Sequence, residues 1–349
     1  MAPGWSAGPG VLDRASMKHL GLSVPFVLLA ACGGGSKPTT TPTEGGDPVA
    51  AGDQPGSGAG SAQVTPPADP PPPPPPPPPQ PTMNAKELGF DTPESVLYDA
   101  EADLYLVSNI GGGPSAKDGN GFISRLRPDG TLDNLKWIDG SKKGSTLNAP
   151  KGMAVAKGVL YVADLDTVRM FDAKTGKAKG AVVVKGATFL NDVAAGADGT
   201  VYVSDSGVTI DDKGVTATGT DAVYKLVKGK AVVVAKSAEL GKPNGLLVVD
   251  GTLWVGTFGT GEVYTLDAKG VRGSIAKPAG MLDGLFWADG TLYATSWEQK
   301  AIMRTNDKGE WSMALGGLEA PADAGYDSKR DWMVVPLFTS NAVVAYHRR

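Results

Sequence analysis

The feature that most limits the fold of this chain is a pattern that recurs six times between residues 83 and 349, with a period of about 44 residues. Each copy opens with a short motif, runs through an apolar segment and reaches a turn rich in glycine and aspartate. The six openings are Pro93-Glu94-Ser95, Pro150-Lys151-Gly152, Leu190-Asn191-Asp192, Pro243-Asn244-Gly245, Leu282-Asp283-Gly284 and Pro321-Ala322-Asp323. Asp-Gly between two β-rich runs, as at Asp250-Gly251, is a strong hairpin signal because that turn needs positive φ.

The copies before the sixth contain enough β-rich segments for four short strands, and helical periodicity is nearly absent. The sequence therefore predicts an all-β fold, a six-bladed β-propeller of four-stranded antiparallel blades that covers residues 83–349. A β-sandwich with evenly spaced hairpins does not explain why the same opening recurs six times. The sixth copy ends after its third strand, so we expect residues 84–90 to supply the missing outer strand and close the ring.

The N-terminal segment predicts export. Translation is expected to start at Met17, and the apolar run at residues 20–31 has the length of a signal-peptide core, too short for a membrane span. Leu29-Ala30-Ala31-Cys32 resembles a bacterial lipobox, which implies that Cys32 is lipidated and becomes the mature N-terminus. An ordinary signal peptide is the alternative. Gly33 in the next position implies an outer-membrane lipoprotein of the bacterial cell envelope, facing the periplasm or the cell surface.

Residues 33–82 separate this predicted signal peptide (residues 1–32) from the propeller. Glycine, serine, threonine and proline dominate, with an unbroken proline run from Pro70 to Pro79. Such a segment has too little apolar surface to offset its ordering entropy, so we expect a disordered linker that contains a polyproline II spacer.

Charge and cysteine content exclude several classes of partner. The chain has 33 Lys and Arg residues against 37 Asp and Glu, which gives no indication of nucleic-acid binding. Cys32 is the single cysteine, so no intramolecular disulfide can form. We expect a monomer that contacts the membrane only through its lipid anchor and binds a small-molecule substrate or a surface ligand.

The openings carry the residues that are candidates for chemistry. The first strand of each propeller blade lines the central channel, so the middle residues of the openings should converge at one mouth. These residues are Glu94, Lys151, Asn191, Asn244, Asp283 and Ala322. Two carboxylates and two carboxamides are hard oxygen ligands that suit Ca²⁺ best, with Mg²⁺ or Zn²⁺ as alternatives. The other interpretation is that these residues only cap a narrow channel with satisfied hydrogen bonds.

Four openings resemble motifs of the SMP-30/gluconolactonase/LRE-like family of six-bladed propellers. Thr92-Pro93-Glu94-Ser95 is similar to the first-blade opening that carries an acidic metal ligand, and Leu190-Asn191-Asp192 to a Phe-Asn-Asp segment. Pro243-Asn244-Gly245 matches the Ser/Pro-Asn-Gly motif, and Leu282-Asp283-Gly284 the Pro-Asp-Gly motif.

The resemblance implies a metal-dependent hydrolase that opens a lactone or a similar ester. Glu94, Asn244 and Asp283 would bind the divalent metal, with Asn191 as a fourth ligand or a substrate contact, and Asp283 would also be the general base. The chain has only two histidines, His19 and His347, which excludes the histidine-dependent mechanism of paraoxonase-like relatives and a Ser-His-Asp triad.

Two alternatives to an enzyme remain. Residues 150–164 resemble an NHL repeat equally well, and that class is mostly a binding scaffold, here a non-catalytic surface module. A propeller that keeps its channel ligands for stability alone is the third hypothesis.

Lys151 is the main objection to a metal. An ammonium about 4 Å from a unit positive charge costs roughly 4 kcal/mol at an effective dielectric of 20. Either Lys151 carries its charge toward an anionic group of the substrate, or it replaces the metal by pairing with Glu94 and Asp283.

Residues that follow the second strands should ring the same mouth. They include Asn109, Asp164, Asp205, Ser206, Thr257 and Trp297. Asp205 and Trp297 are candidates for substrate contact, although turn capping is the alternative, and favoured, role for Asp164 and Asp205. Two long loops, residues 111–121 and 207–221, are expected on this face and should determine specificity.

Overall fold

The computed structural model describes residues 79–348. The predicted signal peptide, Met17, Cys32, Gly33 and the linker as far as residue 78 lie outside these described residues. Within residues 79–348, no helix has the length and apolar character needed to cross a membrane.

The described chain forms 26 strands and two short 3₁₀ turns. The strands are, in chain order, β1 (Met83–Ala85); β2 (Pro93–Asp99), β3 (Leu104–Asn109), β4 (Phe122–Leu126) and β5 (Leu132–Asp139); β6 (Pro150–Ala156), β7 (Val159–Asp164), β8 (Thr167–Asp172) and β9 (Ala178–Val183); β10 (Leu190–Ala195), β11 (Val201–Asp205), β12 (Val208–Asp211), β13 (Gly214–Ala217), β14 (Ala222–Val227) and β15 (Lys230–Lys236); β16 (Pro243–Val249), β17 (Thr252–Thr257), β18 (Val263–Leu266) and β19 (Arg272–Ala276); β20 (Leu282–Ala288), β21 (Thr291–Ser296), β22 (Ala301–Thr305) and β23 (Trp311–Gly316); and β24 (Gly325–Asp327), β25 (Trp332–Leu337) and β26 (Ala342–His347). The 3₁₀ turns cover Ala238–Leu240 and Phe338–Ser340.

All of these strands except β12 and β13, which pair with each other, form six antiparallel four-stranded sheets, which confirms the predicted propeller. Blades one to five take consecutive strands, β2-β3-β4-β5, β6-β7-β8-β9, β10-β11-β14-β15, β16-β17-β18-β19 and β20-β21-β22-β23. Blade six has the order β24-β25-β26-β1, so the start and the end of the propeller share one sheet. The ring is therefore closed by hydrogen bonds between β1 and β26, with Met83 opposite Ala345.

The closing strand is shorter than the predicted 84–90, since pairing stops at Ala85. After that residue the chain leaves the sheet edge, and Leu88 and Phe90 pack into the apolar cluster between blades six and one. Burial of these two side chains replaces further strand pairing.

Apolar packing between neighbouring blades supplies the core. One hydrophobic cluster lies at each of the six blade interfaces, for example Leu106 against Leu160 between blades one and two. Full burial of a leucine contributes about 1.5–3 kcal/mol. The ring is thus stabilised by six similar interfaces.

A polar network crosses the closure between blades six and one, and we call it the seam. Arg330 bonds Asp103 through both terminal nitrogens, at 2.7 and 2.8 Å, and bonds Asp327 at 2.9 Å. Tyr105, fully buried in β3, donates its hydroxyl to Asp327 at 2.6 Å. Lys329 adds an exposed ion pair to Asp103. Every carboxylate of the seam therefore has a cation beside it.

Two predicted segments differ from the structure. The opening Pro321-Ala322-Asp323 does not belong to the inner strand of blade six, which begins at Gly325, because Asp323 exchanges backbone hydrogen bonds with Glu94 and Val96 of blade one. The predicted loop 207–221 contains the hairpin β12–β13. Its tip bonds Ser115 in the other long loop through the amide of Ile210, at 2.9 Å.

Candidate functional site

A β-bulge at the start of the inner strand directs the middle residue of each opening. In blades one to five the register shifts between the first residue of the opening and the residues after the middle position. Bulges commonly re-aim a side chain next to an active site. The middle residues of these blades are Glu94, Lys151, Asn191, Asn244 and Asp283, and all five are buried.

The two carboxylates of this set are held in a dehydrated environment. Burial raises the pKa of Glu94 well above its ordinary value, Asp283 raises it further, and Lys151 opposes the rise. Burial, with a contribution from Asp323, raises the pKa of Asp283 to about 8, while the hydrogen bond from Trp297 and the nearby Asn244 amide oppose it. Charge on these groups is costly unless a cation lies beside them.

Each carboxylate also keeps an oxygen without a partner. Glu94 Oε2 and Asp283 Oδ1 are buried and accept no hydrogen bond. Buried polar atoms in folded proteins are nearly always paired, so two orphaned acceptors at one mouth call for a ligand.

The side-chain amides of Asn191 and Asn244 point their nitrogen atoms away from the channel mouth. Asn191 Nδ2 donates to Ser206 Oγ at 3.0 Å, and Asn244 Nδ2 donates weakly to the carbonyl of Leu282 at 3.4 Å. Their oxygens accept no hydrogen bond from the described residues and remain available as ligands.

This donor set fits a hard divalent cation, because carboxylate and amide oxygens are the ligands that Ca²⁺ and Mg²⁺ prefer. Among residues 79–348, no three Asp, Glu, His or Cys side chains are grouped so that they could hold a metal ion by themselves. Amide oxygens, carbonyls or waters would have to complete the coordination of any cation at Glu94 and Asp283.

Lys151 lies at the mouth but is turned toward backbone oxygens. Its Nζ donates to the carbonyls of Ala149 at 2.9 Å and Pro114 at 3.2 Å, and lies 4.2 Å from the ring centre of Phe189. Burial lowers the pKa of Lys151 to about 8, although Glu94 and Asp164 oppose this. Within the described residues it forms no ion pair with a carboxylate, so the second alternative, direct pairing with Glu94 and Asp283, is not observed.

The acidic residues that end the second strands cap turns. The Asp205 carboxylate is buried and accepts hydrogen bonds from the amides of Phe189 at 3.0 Å and Gly207 at 3.1 Å. Asp164 accepts from the amide of Ala149 at 2.9 Å and pairs with Arg169. These contacts match the turn-capping role that the sequence left as an alternative for Asp205.

Trp297 is brought directly against the candidate site. Its Nε1–H donates to Asp283 Oδ2 at 2.8 Å. Phe258 and Phe338 lie on either side of the indole, with ring centres 5.9 and 5.1 Å away. All three rings are half-buried. Phe258 and Phe338 were not predicted, although each follows a second strand as Trp297 does.

A second pair of acids lies behind the first. Asp192 and Asp323 occupy the third position of their openings, and glycines at 152 and 284 leave room for their carboxylates, because a Cβ there would collide with them. Both acids line a channel cavity of about 640 Å³, and burial raises the pKa of Asp192 above its ordinary value and that of Asp323 to about 7. The signal for this pair in the sequence is an acidic residue at the third position of the opening, where the other openings carry Gly or Ser.

Comparison with solved structures finds the same architecture. A gluconolactonase of Xanthomonas campestris matches with a TM-score of 0.56 and 17% identity, over 74% of this chain and 87% of that chain. A second structure assigned as a gluconolactonase matches with a TM-score of 0.58 and 18% identity, over 76% and 92%. The virginiamycin B lyase of Staphylococcus aureus matches at 0.51 and 12%, over 75% and 97%.

At such identities the likeness shows the propeller fold, which hydrolases and lyases share. No protein-family model matches the sequence, and no curated protein matches it.

Proposed function

We propose that the chain is a metal-dependent hydrolase that opens a lactone or a similar ester at the channel mouth. The observation that carries the proposal is a pair of buried carboxylates, Glu94 and Asp283, which interact electrostatically and each keep an unpartnered oxygen. Asn191 and Asn244 complete the ligand set, and Ca²⁺ fits it best, with Mg²⁺ or Zn²⁺ as alternatives.

A bound divalent cation supplies Lewis-acid polarisation of the ester carbonyl and a water of lowered pKa. Asp283 accepts the proton of the attacking water at Oδ1, the oxygen that has no partner. The hydroxyl adds to the carbonyl carbon, the ring C–O bond breaks, and the proton returns to the leaving alkoxide, which yields a hydroxy acid. Trp297 and Lys151 border the substrate, with Lys151 available to an anionic group when loop 111–121 moves.

Histidine does not take part in this mechanism. His347, the histidine within the described residues, is exposed on β26 and stacks edge-on against Trp332. A carboxylate base is therefore the group that the mouth offers.

The test uses the protein with Cys32→Ser, which removes the proposed lipidation site. We expect calorimetry to show binding of Ca²⁺, and a lactone panel to show hydrolysis that EDTA abolishes. Asp283→Ala should lower kcat/KM about 10²–10⁴-fold, the range for loss of a general base. The control is Asp307→Ala, an exposed acid on the same blade. Normal metal binding and activity in Asp283→Ala would refute the site.

The alternative is a non-catalytic binding module of NHL type. The structural match to a lyase at similar coverage shows that this fold does not determine the chemistry. Metal binding without hydrolysis of any lactone would favour that module.

We also propose the location inferred from sequence. Cys32 carries the lipid of an outer-membrane lipoprotein, and residues 33–82 tether a monomeric propeller that binds no nucleic acid. Labelled palmitate should be incorporated into the wild type but not into Cys32→Ser, and the Cys32→Ser protein should elute as a monomer.

A further inference from the structure

Two side chains outside the predicted ligand set orient members of it. We propose that Trp297 and Ser206 are positioning residues, which fix Asp283 and Asn191 so that one oxygen of each is presented at the mouth. The inference rests on the proposed function for what that oxygen binds, but the orientation itself is a property of the metal-free protein.

Both positioning residues occupy the same place in their blades. Ser206 is the first residue after β11, and Trp297 is the first after β21. Each amide is pinned to the residue that precedes the opening of its own blade, Ser206 to the carbonyl of Phe189 at 3.0 Å and Trp297 to that of Met281 at 3.1 Å. The backbone therefore holds each side chain beside the middle residue of its opening.

In each pair, the donor or acceptor group of the positioning residue matches the group that it holds. Trp297 can only donate, and it donates to one oxygen of a carboxylate, which leaves Asp283 Oδ1 free. Ser206 donates its hydroxyl to the carbonyl of Pro243 at 2.8 Å, so its oxygen accepts the amide nitrogen of Asn191. This chain of bonds determines which end of the Asn191 amide faces away from the mouth.

The indole is itself held in place. Phe258 packs edge-on against it at an interplanar angle of 81°, and Phe338 is tilted by 58° on the other side. Because these two rings hold the indole in place, its N–H sets the carboxylate of Asp283 in one orientation.

Glu94 shows what happens without such a partner. The residue after the second strand of its blade is Ile110, which is buried and has no donor or acceptor in its side chain. The Glu94 carboxylate accepts no hydrogen bond from the described residues. Orientation by hydrogen bonds thus applies to Asp283 and Asn191, while Glu94 can adjust to the ligand.

The first test measures Ca²⁺ affinity by calorimetry in Trp297→Phe and Ser206→Ala, each in the otherwise intact Cys32→Ser chain. Loss of a group that orients a metal ligand typically costs 10–100-fold in affinity. We expect the dissociation constant to rise by that factor in Trp297→Phe and by about 10-fold in Ser206→Ala. Ile110→Val, at the matched position of blade one, should leave it unchanged. Wild-type affinity in both variants would overturn the inference.

The second test needs neither metal nor substrate. The Trp297 indole N–H resonance, assigned by its loss in Trp297→Phe, should shift in Asp283→Ala and exchange faster with solvent, but should be retained in Trp287→Phe. An unchanged resonance in Asp283→Ala would overturn the positioning role. If the wild type binds no divalent cation, the proposed function fails, and this resonance alone decides the orientation.

Discussion

The seam and the channel mouth both bury acidic residues, but they treat them in opposite ways. At the seam, Arg330 bonds two carboxylates, and its hydrogen bond, followed by that of Lys329, holds the pKa of Asp103 well below the ordinary value. At the mouth, Glu94 and Asp283 each keep an unpartnered oxygen, and burial raises both pKa values.

The difference separates stability from function. A buried carboxylate with a cation and hydrogen bonds contributes to folding, whereas one that lacks them costs free energy and is tolerated where a ligand compensates. The seam is complete within the chain itself. The mouth is not, and under the proposed function a divalent cation completes it.

Removal of a seam carboxylate should produce the largest loss of stability. Asp327→Ala leaves the buried Tyr105 hydroxyl without its acceptor and removes one of the two carboxylates that Arg330 bonds. At roughly 1.5–3 kcal/mol for each hydrogen bond to a charged group, the loss should be about 3–6 kcal/mol. Urea unfolding should show this loss, with metal affinity of the folded protein unchanged.

Lys329→Ala is the matched control, since its side chain is 61% exposed and its ion pair should contribute less than about 1 kcal/mol. Similar losses in the two variants would mean that the seam does not differ from an ordinary surface network.

The sequence predicted the blades well because turns and strand patterns are local. Asp-Gly turns and β-rich runs located the strands, and the openings located the residues of the mouth. The seam could not be predicted, because Tyr105 and Asp327 lie 222 positions apart and neither belongs to a repeated motif. The hydrogen bond from Trp297 to Asp283 was also missed, since spacing does not indicate where a donor points.

The channel mouth should make the stability of the protein change with pH in the direction opposite to that of the seam. Its carboxyl groups have folded pKa values raised above their unfolded values, to about 7 for Asp323 and about 8 for Asp283. Between pH 5 and 8 the folded protein then binds more protons than the unfolded one, so stability falls as pH rises. In EDTA we expect urea unfolding to show a loss of up to about 1.4 kcal/mol per pH unit for each of these two groups, until the pH passes its folded pKa.

Calcium should offset part of that loss at pH 8, because a ligand at 100 times its dissociation constant adds about 2.7 kcal/mol. The seam works in the other direction, since the depressed pKa of Asp103 gives stability above the unfolded pKa that is lost as pH falls into the acid range. Stability that rises from pH 5 to 8 in EDTA would contradict the assignment of unpaired acids to the mouth.

A smaller effect on stability should distinguish the second pair of acids, Asp192 and Asp323, from the proposed metal ligands. Asp323→Asn keeps an acceptor for the Ser95 hydroxyl, which donates to Asp323 Oδ2 at 2.5 Å, but removes a carboxylate whose charge is disfavoured. In EDTA the stability of the variant relative to wild type should rise by about 2–3 kcal/mol between pH 5 and pH 8, because only the wild type gives up this proton in that range. Calcium affinity should change little, whereas loss of binding would place Asp323 among the ligands.

The smallest effect on stability is expected for an exposed ion pair whose charged atoms lie about as close together as those of the seam. Lys300 and Glu319 lie 2.9 Å apart, close to the 2.7 Å between Arg330 and Asp103, yet their side chains are 56% and 62% exposed. Water already solvates both charges, so Glu319→Gln should change the free energy of unfolding by no more than about 0.5 kcal/mol, and 1 M salt should remove even that. A loss as large as that of Asp327→Ala would show that distance, rather than burial and shared hydrogen bonds, makes the seam strong.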